Sequence, residues 1–395
     1  MGERRSRARA ALLDLIVLCL GSLIAVLLLE ALLRLHNPFQ ARIKGNRIVL
    51  LTNTQYHIRN DIIPSLDAVI TFTRNSLGFR GPDPPANFAS QLSIITVGGS
   101  TTQCFYLSDG NTWTARLGAD LEPSLKNLWI NNAGLDGHST YGHLVLMEDH
   151  IARLHPKVVV FLIGANDVRR EPDAEFDAEN VKSRISFHSP TAFIKSLSPY
   201  SEVASLVANL YRSASAHNSG LWHHRIDLKT MPYLGPLPPG AEQKCLAEFA
   251  PPHYLAGYEV RIRKLMMISR SNRIEPVLVT QPLLAGPQID DVTGVDLGRV
   301  EFAPGTSGNM AWDLQEVYND VTRRIGREQR VQVIDLARKL PKSSRYFYDF
   351  RHFSNAGAQA VAAILSEDLC PFLTRRFPAY QTSAGCLSLK MSQAH

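Results

Sequence analysis

The sequence predicts an α/β fold built on a parallel sheet. Five short, β-rich apolar runs lie at residues 93–97, 128–131, 158–163, 276–280 and 331–334. Helix-length patterns separate them, so successive strands need crossover helices and point the same way. The first three runs each lead into a short glycine-containing segment, and in an open parallel sheet ligands bind beyond the carboxyl ends of the strands. With 395 residues, 45% of them hydrophobic, the chain can fill the core of one large domain and still carry extensions.

The chain opens on Arg4, Arg5, Arg7 and Arg9, opposed there only by Glu3, and this cluster holds half of the formal net charge of +6. An apolar run follows over residues 10–29; Asp14 lies near its start, and residues 15–29 carry no charge. At 1.5 Å per residue, about 20 residues span the roughly 30 Å of bilayer hydrocarbon. Arginines before the run and none immediately after it predict a cytoplasmic N-terminus, with the bulk of the chain outside. A cleavable signal peptide has the same order of charge and apolarity, but Glu30-Ala31-Leu32-Leu33-Arg34 offers no small-x-small cleavage site. The expectation is a basic tail at 1–9, a single-pass anchor at 10–30 in a bacterial inner membrane, and a periplasmic remainder.

Residues 31–91 read as a connector with one alternating strand, 69–73, a turn at 75–81 and a break at the prolines of 82–85. Helices are predicted at 112–121, 141–154, 258–271, 311–327 and 355–369, the last with Ser354 as its N-cap. The interval 169–255 is too long for one crossover. Its prolines and aromatics, among them Pro190, Pro199, Tyr200, Tyr211, Trp222 and Tyr233, predict an insertion of mixed helix and loop near the site. The main domain is expected over 92–370, followed by a tail at 371–395. Outside the apolar run stand Cys104, Cys245, Cys370 and Cys386; a bridge from Cys370 to Cys386 and separate burial of the two are both open.

The chemistry-bearing residues gather at the strand ends. Gly98-Gly99 permits a sharp turn after the first strand and puts Ser100 at the start of a helix or turn. A serine hydroxyl is a weak nucleophile, so it needs a base within hydrogen-bond reach and an acid to orient that base. Asp349 and His352, three residues apart before the last helix, can supply both from one loop. The backbone N–H groups of Ser100 and Gly137 and the side-chain N–H of Asn166 are candidate donors to an oxyanion. Asp167 is expected to cap a turn. Each segment alone is a common loop; their order along the chain makes the set informative.

The four blocks, Ser100 after Gly98-Gly99, Gly137, Asn166 in Gly-x-Asn-Asp, and Asp349-x-x-His352 with Gly357 following, resemble the SGNH (GDSL-type) hydrolase family over about residues 92–370. The resemblance implies a three-layer, flavodoxin-like α/β/α sandwich around a five-stranded parallel sheet. It also implies a serine esterase with the triad Ser100, Asp349 and His352, an oxyanion hole from Ser100, Gly137 and Asn166, and neither metal nor organic cofactor. Gly98-Gly99-Ser100-Thr101 departs from the Gly-Asp-Ser of many members, which bears on subgroup rather than on activity.

Other functions find less support. His138, His143, His150 and His155 are expected to mark a solvated face rather than a metal site, which needs three or four converging ligands, with His138 set apart as the one adjoining Gly137. Gly98-Gly99 lacks the spacing of a dinucleotide or phosphate-binding loop, and the modest charge beyond the anchor predicts no nucleic-acid partner. The expected activity is hydrolysis of acyl esters, acetyl above all, on carbohydrate or cell-envelope substrates such as an acylated glycan. An O-acyltransferase of exopolysaccharide assembly and a catalytically silent glycan-binding protein are the alternatives.

Overall fold

The computed structural model describes residues 2–37, 43–44, 47–168, 185, 189–218, 223, 225–235 and 238–387. The chain divides into two compact units, Met1–Val49 with Asp177–Trp222 and Leu50–Phe176 with His223–His395. Part of the expected insertion, residues 169–184 and Trp222 included, lies outside the described residues, as does the end of the expected tail.

The second unit holds the sheet. Its strands are β1 (Leu92–Gly98), β2 (Leu128–Asn132), β3 (Val158–Leu162), β4 (Glu275–Val279) and β5 (Gln332–Ile334), each within a residue or so of its predicted run. They are ordered β2-β1-β3-β4-β5, and every neighbouring pair is parallel. This is the flavodoxin-like order, in which the direction of winding reverses between β1 and β3 and opens a crevice at their carboxyl ends. Gly98 pairs with Leu162, so the two strand ends stand level.

Alternation along the strands sorts the core into two faces. Leu92, Ile94, Val158, Val160, Val277 and Val279 join Trp113, Leu117, Leu365 and Leu369 in one cluster. These helical residues belong to Trp113–Leu121 and Asn355–Arg376, which pack on each other. The intervening Ile95, Val97, Val159, Phe161 and Leu278 are equally buried. On their side pack Thr140–Leu146, Pro252–Ser271 and Gly308–Gln329. Strands buried on both faces are nearly continuous apolar runs, and this made them legible in the sequence.

Several expectations are corrected. The strand Val69–Arg74 is present, but it pairs antiparallel with a second strand of the connector, Thr54–Arg59, that the sequence pattern does not predict. The predicted helix from residue 258 starts earlier, at Pro252, with proline in the first turn where its missing N–H costs nothing. The last helix has Ser354 as its N-cap but runs through Pro371 to Arg376 instead of stopping at 369, so a domain boundary at 370 would cut it. Cys370 is bonded to Cys386. The segment between them folds back on the sheet unit, where Lys126 N–H donates to Tyr380 O and Thr382 N–H to Ser124 O.

His143 is not on a solvated face. It is 1% exposed on the inner side of Thr140–Leu146, and burial pushes its pKa down to about 3. Its ring stacks on His138 at 6.4 Å between centroids. A histidine neutral when folded and ordinary when unfolded costs nothing above pH 6.5. As pH falls from 6.5 toward 3 the unfolded chain binds a proton that the folded one refuses, so stability drops by up to about 1.4 kcal/mol per pH unit. Thermal melts across this window should show a shallower pH slope in His143→Phe than in wild type.

In the first unit, helix Gly2–Leu35 contains Ala10–Leu35, 26 residues long and apolar enough to cross a membrane by length and composition. It extends beyond the expected anchor at 10–30, and Leu12, Leu18, Leu23 and Leu28 along it are exposed. Helices Pro190–Leu197 and Glu202–Asn218 form a hairpin, the second helix packing against the long one.

Candidate active site

Ser100 is the first residue of a one-turn helix, Ser100–Gln103, entered directly from β1 through Gly99. Both glycines are required by close approach. A Cβ on residue 98 would lie 2.1 Å from Thr102 Oγ1 and 2.5 Å from Leu162 O, and one on residue 99 would lie 2.5 Å from Asn166 Nδ2. The turn is therefore packed against the end of β3 as tightly as backbone permits.

The loop 346–354 carries Asp349 and His352. It is pinched shut by Ser354 N–H to Tyr346 O and Tyr348 N–H to His352 O. Ser354 Oγ then accepts Gly357 N–H at the start of the last helix. Gly357 is needed because a Cβ there would lie 1.8 Å from Tyr346 O. At the loop tip Asp349 Oδ1 accepts the N–H groups of Arg351 and His352 at 2.8 and 2.7 Å. Its Oδ2 lies 2.6 Å from His352 Nδ1, and His352 Nε2 lies 2.8 Å from Ser100 Oγ.

An ionised carboxylate only accepts hydrogen bonds, so the proton sits on Nδ1 and leaves Nε2 to accept from the serine hydroxyl. Asp349 is 5% exposed. Burial alone would raise its pKa, but the electrostatic interaction and hydrogen bond with His352 and the two backbone N–H donors outweigh it and hold the carboxyl below its ordinary range. Serine, imidazole and carboxylate thus form one hydrogen-bonded chain across 252 residues of sequence.

The proposed oxyanion donors border the same turn. Gly137 has φ +72°, and nothing lies within 4 Å of where its Cβ would be. Asn166 Nδ2 donates to His138 O at 3.0 Å and abuts Gly99, one residue from Gly137 on one side and from Ser100 on the other. Asp167 does more than cap a turn. Its buried carboxylate accepts Thr140 N–H and Oγ1–H at the start of a helix and receives Arg261 Nη2 at 3.2 Å.

Two residues outside the predicted set hold these parts in register. The Gln103 side chain, 1% exposed, accepts Asp136 N–H at 2.6 Å and so ties the Gly137 loop to the Ser100 turn. Arg80, 4% exposed, donates to the carbonyls of Gln103, Cys104 and Leu107 and pairs with Asp109. These carbonyls at the end of the turn have no helical successor, so the guanidinium takes its place. Arg80→Ala strands them and Asp109 and should cost about 3–5 kcal/mol of stability, read as a fall in the denaturation midpoint.

A small cavity opens beside Ser100, walled by Cys104, Tyr106, Leu107, Tyr348 and Phe353. Burial pushes the Cys104 thiol up to about 11 and raises Tyr348 and Tyr106 above the ordinary phenol value, so the walls carry no charge. His223, which no sequence pattern singled out, packs on His352 at 4.1 Å between ring centroids. Its Nδ1 is 2.7 Å from Tyr348 Oη and its Nε2 3.3 Å from Asp136 Oδ2. Among the described residues, His223, Asp349 and His352 bring donor atoms within 4.8 Å of one another. Both nitrogens of His352 are engaged by Asp349 and Ser100 and both of His223 by Tyr348 and Asp136, a poor arrangement for a metal ion.

The family model for the GDSL-like lipase/acylhydrolase family matches residues 96–360, about two-thirds of the chain. No curated protein matches. Similar solved structures include the acetylxylan esterase Axe2 of Geobacillus stearothermophilus, at 14% identity and TM-score 0.39 over 71% of this chain and 94% of that one. A GDSL-like lipase of Bacteroides thetaiotaomicron is similar at 11% identity and TM-score 0.36, over 72% of this chain and 90% of that one. With the family match spanning the sheet and all four blocks, the chain belongs to the GDSL-like lipase/acylhydrolase family and is a serine ester hydrolase.

Proposed function

We propose that the protein is a membrane-anchored, extracytoplasmic esterase that removes short acyl groups, acetyl above all, from carbohydrate or cell-envelope substrates. The observation that carries this reading is the hydrogen-bonded chain from Ser100 through His352 to Asp349. Ser100 Oγ attacks the ester carbonyl while His352 Nε2 takes its proton, and Asp349 holds the imidazolium that forms. The N–H groups of Ser100, Gly137 and Asn166 receive the negative charge on the carbonyl oxygen. His352 then protonates the departing alcohol, and water, activated by the same imidazole, releases the acid from Ser100.

The small cavity beside Ser100, lined by Tyr106, Leu107, Tyr348 and Phe353, supports a short acyl group. Extracytoplasmic placement is supported by the apolar helix after an arginine cluster and by the Cys370–Cys386 disulfide, which persists in oxidising compartments. We place the anchor at 10–30, the connector at 31–91 and the catalytic domain from residue 92, interrupted over about 169–255.

Labelling with a fluorescent fluorophosphonate tests the reading. Wild type should label and Ser100→Ala should not; an unlabelled wild type, or equal labelling of both, would falsify it. A series of p-nitrophenyl esters should show kcat/KM highest for acetate and falling as the acyl chain lengthens. Preference for long chains would contradict the assignment of the cavity.

A further inference from the structure

We propose that helix Glu202–Asn218 lies on the membrane surface, with Val207, Leu210 and Tyr211 seated among lipid headgroups and upper acyl chains. The inference rests on the anchor reading above. At 1.5 Å per residue the 26 residues of Ala10–Leu35 extend about 39 Å, beyond the roughly 30 Å of hydrocarbon. With its N-terminal part in the bilayer, the last turns of the span, from Glu30 onward, stand at headgroup level.

The hairpin is fastened at this level. Glu30, on the span, accepts Ser201 Oγ–H at 2.8 Å, Glu202 N–H at 3.1 Å and Val203 N–H at 3.0 Å. A carboxylate at this position satisfies N–H groups that the first turn of a helix leaves unpaired, and it complements the positive end of the helix. Arg34, paired with Glu30 at 2.8 Å, donates to Tyr200 O at 2.6 Å, and Asn37 Nδ2 donates to Glu202 Oε2 at 2.8 Å. The helix therefore begins beside the outer end of the apolar span.

Its two faces differ. Ser205 and Ala208 are 1% and 8% exposed, whereas Val207, Leu210 and Tyr211 are 43%, 59% and 61% exposed. The exposed three recur at helical spacing and form one stripe. Tyr200, 60% exposed, adds a second aromatic ring at the helix start. An apolar stripe with tyrosines, held at the end of a membrane span, matches an interfacial helix, where rings sit at headgroup depth and aliphatic side chains reach the acyl boundary. The occupant proposed is the lipid surface that the span already traverses.

The test uses the full chain in phosphatidylcholine–phosphatidylglycerol vesicles, with a nitroxide at Leu210→Cys in a Cys19→Ala background; Cys104 and Cys245 are buried. Leu23→Cys serves as a deep reference and Arg59→Cys as an aqueous one. The label at 210 should lose broadening by a water-soluble nickel chelate and gain broadening by oxygen relative to the label at 59. Nickel broadening at 210 equal to that at 59, with 23 still deep, overturns the inference and leaves the anchor standing. Shielding of 210 from both reagents means that protein covers the stripe and also overturns it. If 23 itself behaves as aqueous, the anchor reading fails and the inference falls with it.

Discussion

Ser100→Ala should lower kcat on p-nitrophenyl acetate by a factor on the order of 10⁶, with little change in KM. The substitution removes the one oxygen hydrogen-bonded to His352 Nε2 and leaves the glycines that shape the turn, the Gln103 tether and the Arg80 brace in place. Substrate binding should survive, because the cavity walls are other side chains. What remains, roughly 10³–10⁴ over water, is the contribution of the oxyanion donors and of binding. Steady-state kinetics with a thermal melt on the same sample check this: loss of activity with an unchanged midpoint is the expected pair. A variant retaining more than a few per cent of wild-type kcat would mean that another group performs the attack.

Asp349→Asn should cost on the order of 10⁴ in kcat. Asp349 uses one oxygen for two backbone N–H groups and the other for His352 Nδ1. An asparagine can keep its oxygen on the backbone donors only by turning its NH₂ toward Nδ1, which must then accept. The imidazole proton moves to Nε2, and the base facing Ser100 becomes a donor that cannot take the serine proton. The pH dependence follows from the lowered pKa of Asp349. Its stabilising contribution is fully present above the ordinary carboxylate range near pH 4 and is lost as pH falls through the lower folded value. Wild type should therefore keep this contribution through the mildly acidic range. Kinetics of Asp349→Asn showing less than a tenfold loss would contradict the orienting role.

Much of this was written in the sequence. The sheet strands were visible because burial on both faces leaves uninterrupted apolar runs, and the Ser100 turn because two glycines in succession mark a chain that must pass close to its neighbours. Thr54–Arg59 was not visible. Its side chains alternate between half-buried (Thr54, Tyr56, Ile58) and exposed (Gln55, His57, Arg59), but none is fully buried, so the inward face carries too little apolar signal to stand out. His143 was misjudged because its polarity suggested water, while the fold puts it against the core beside His138. The last helix runs on through Pro371, where a proline in the sequence pattern argues for a stop.

His223 shows the limit most plainly. It reaches His352, Tyr348 and Asp136 from more than 80 residues away along the chain in every case, with no spacing rule to announce it. Arg80 lies in the turn expected at 75–81, and Gln103 stands three residues after Ser100. Their work as tethers follows from side-chain direction, which sequence pattern does not specify.

The most direct measurement is acid-quenched mass spectrometry of the protein during turnover of p-nitrophenyl acetate. The account predicts a single added acetyl group on the wild type, located by peptide mapping on Ser100 and absent from Ser100→Ala. An acetyl group found on any other residue, or sustained turnover with no acyl-enzyme at any quench time, would contradict it.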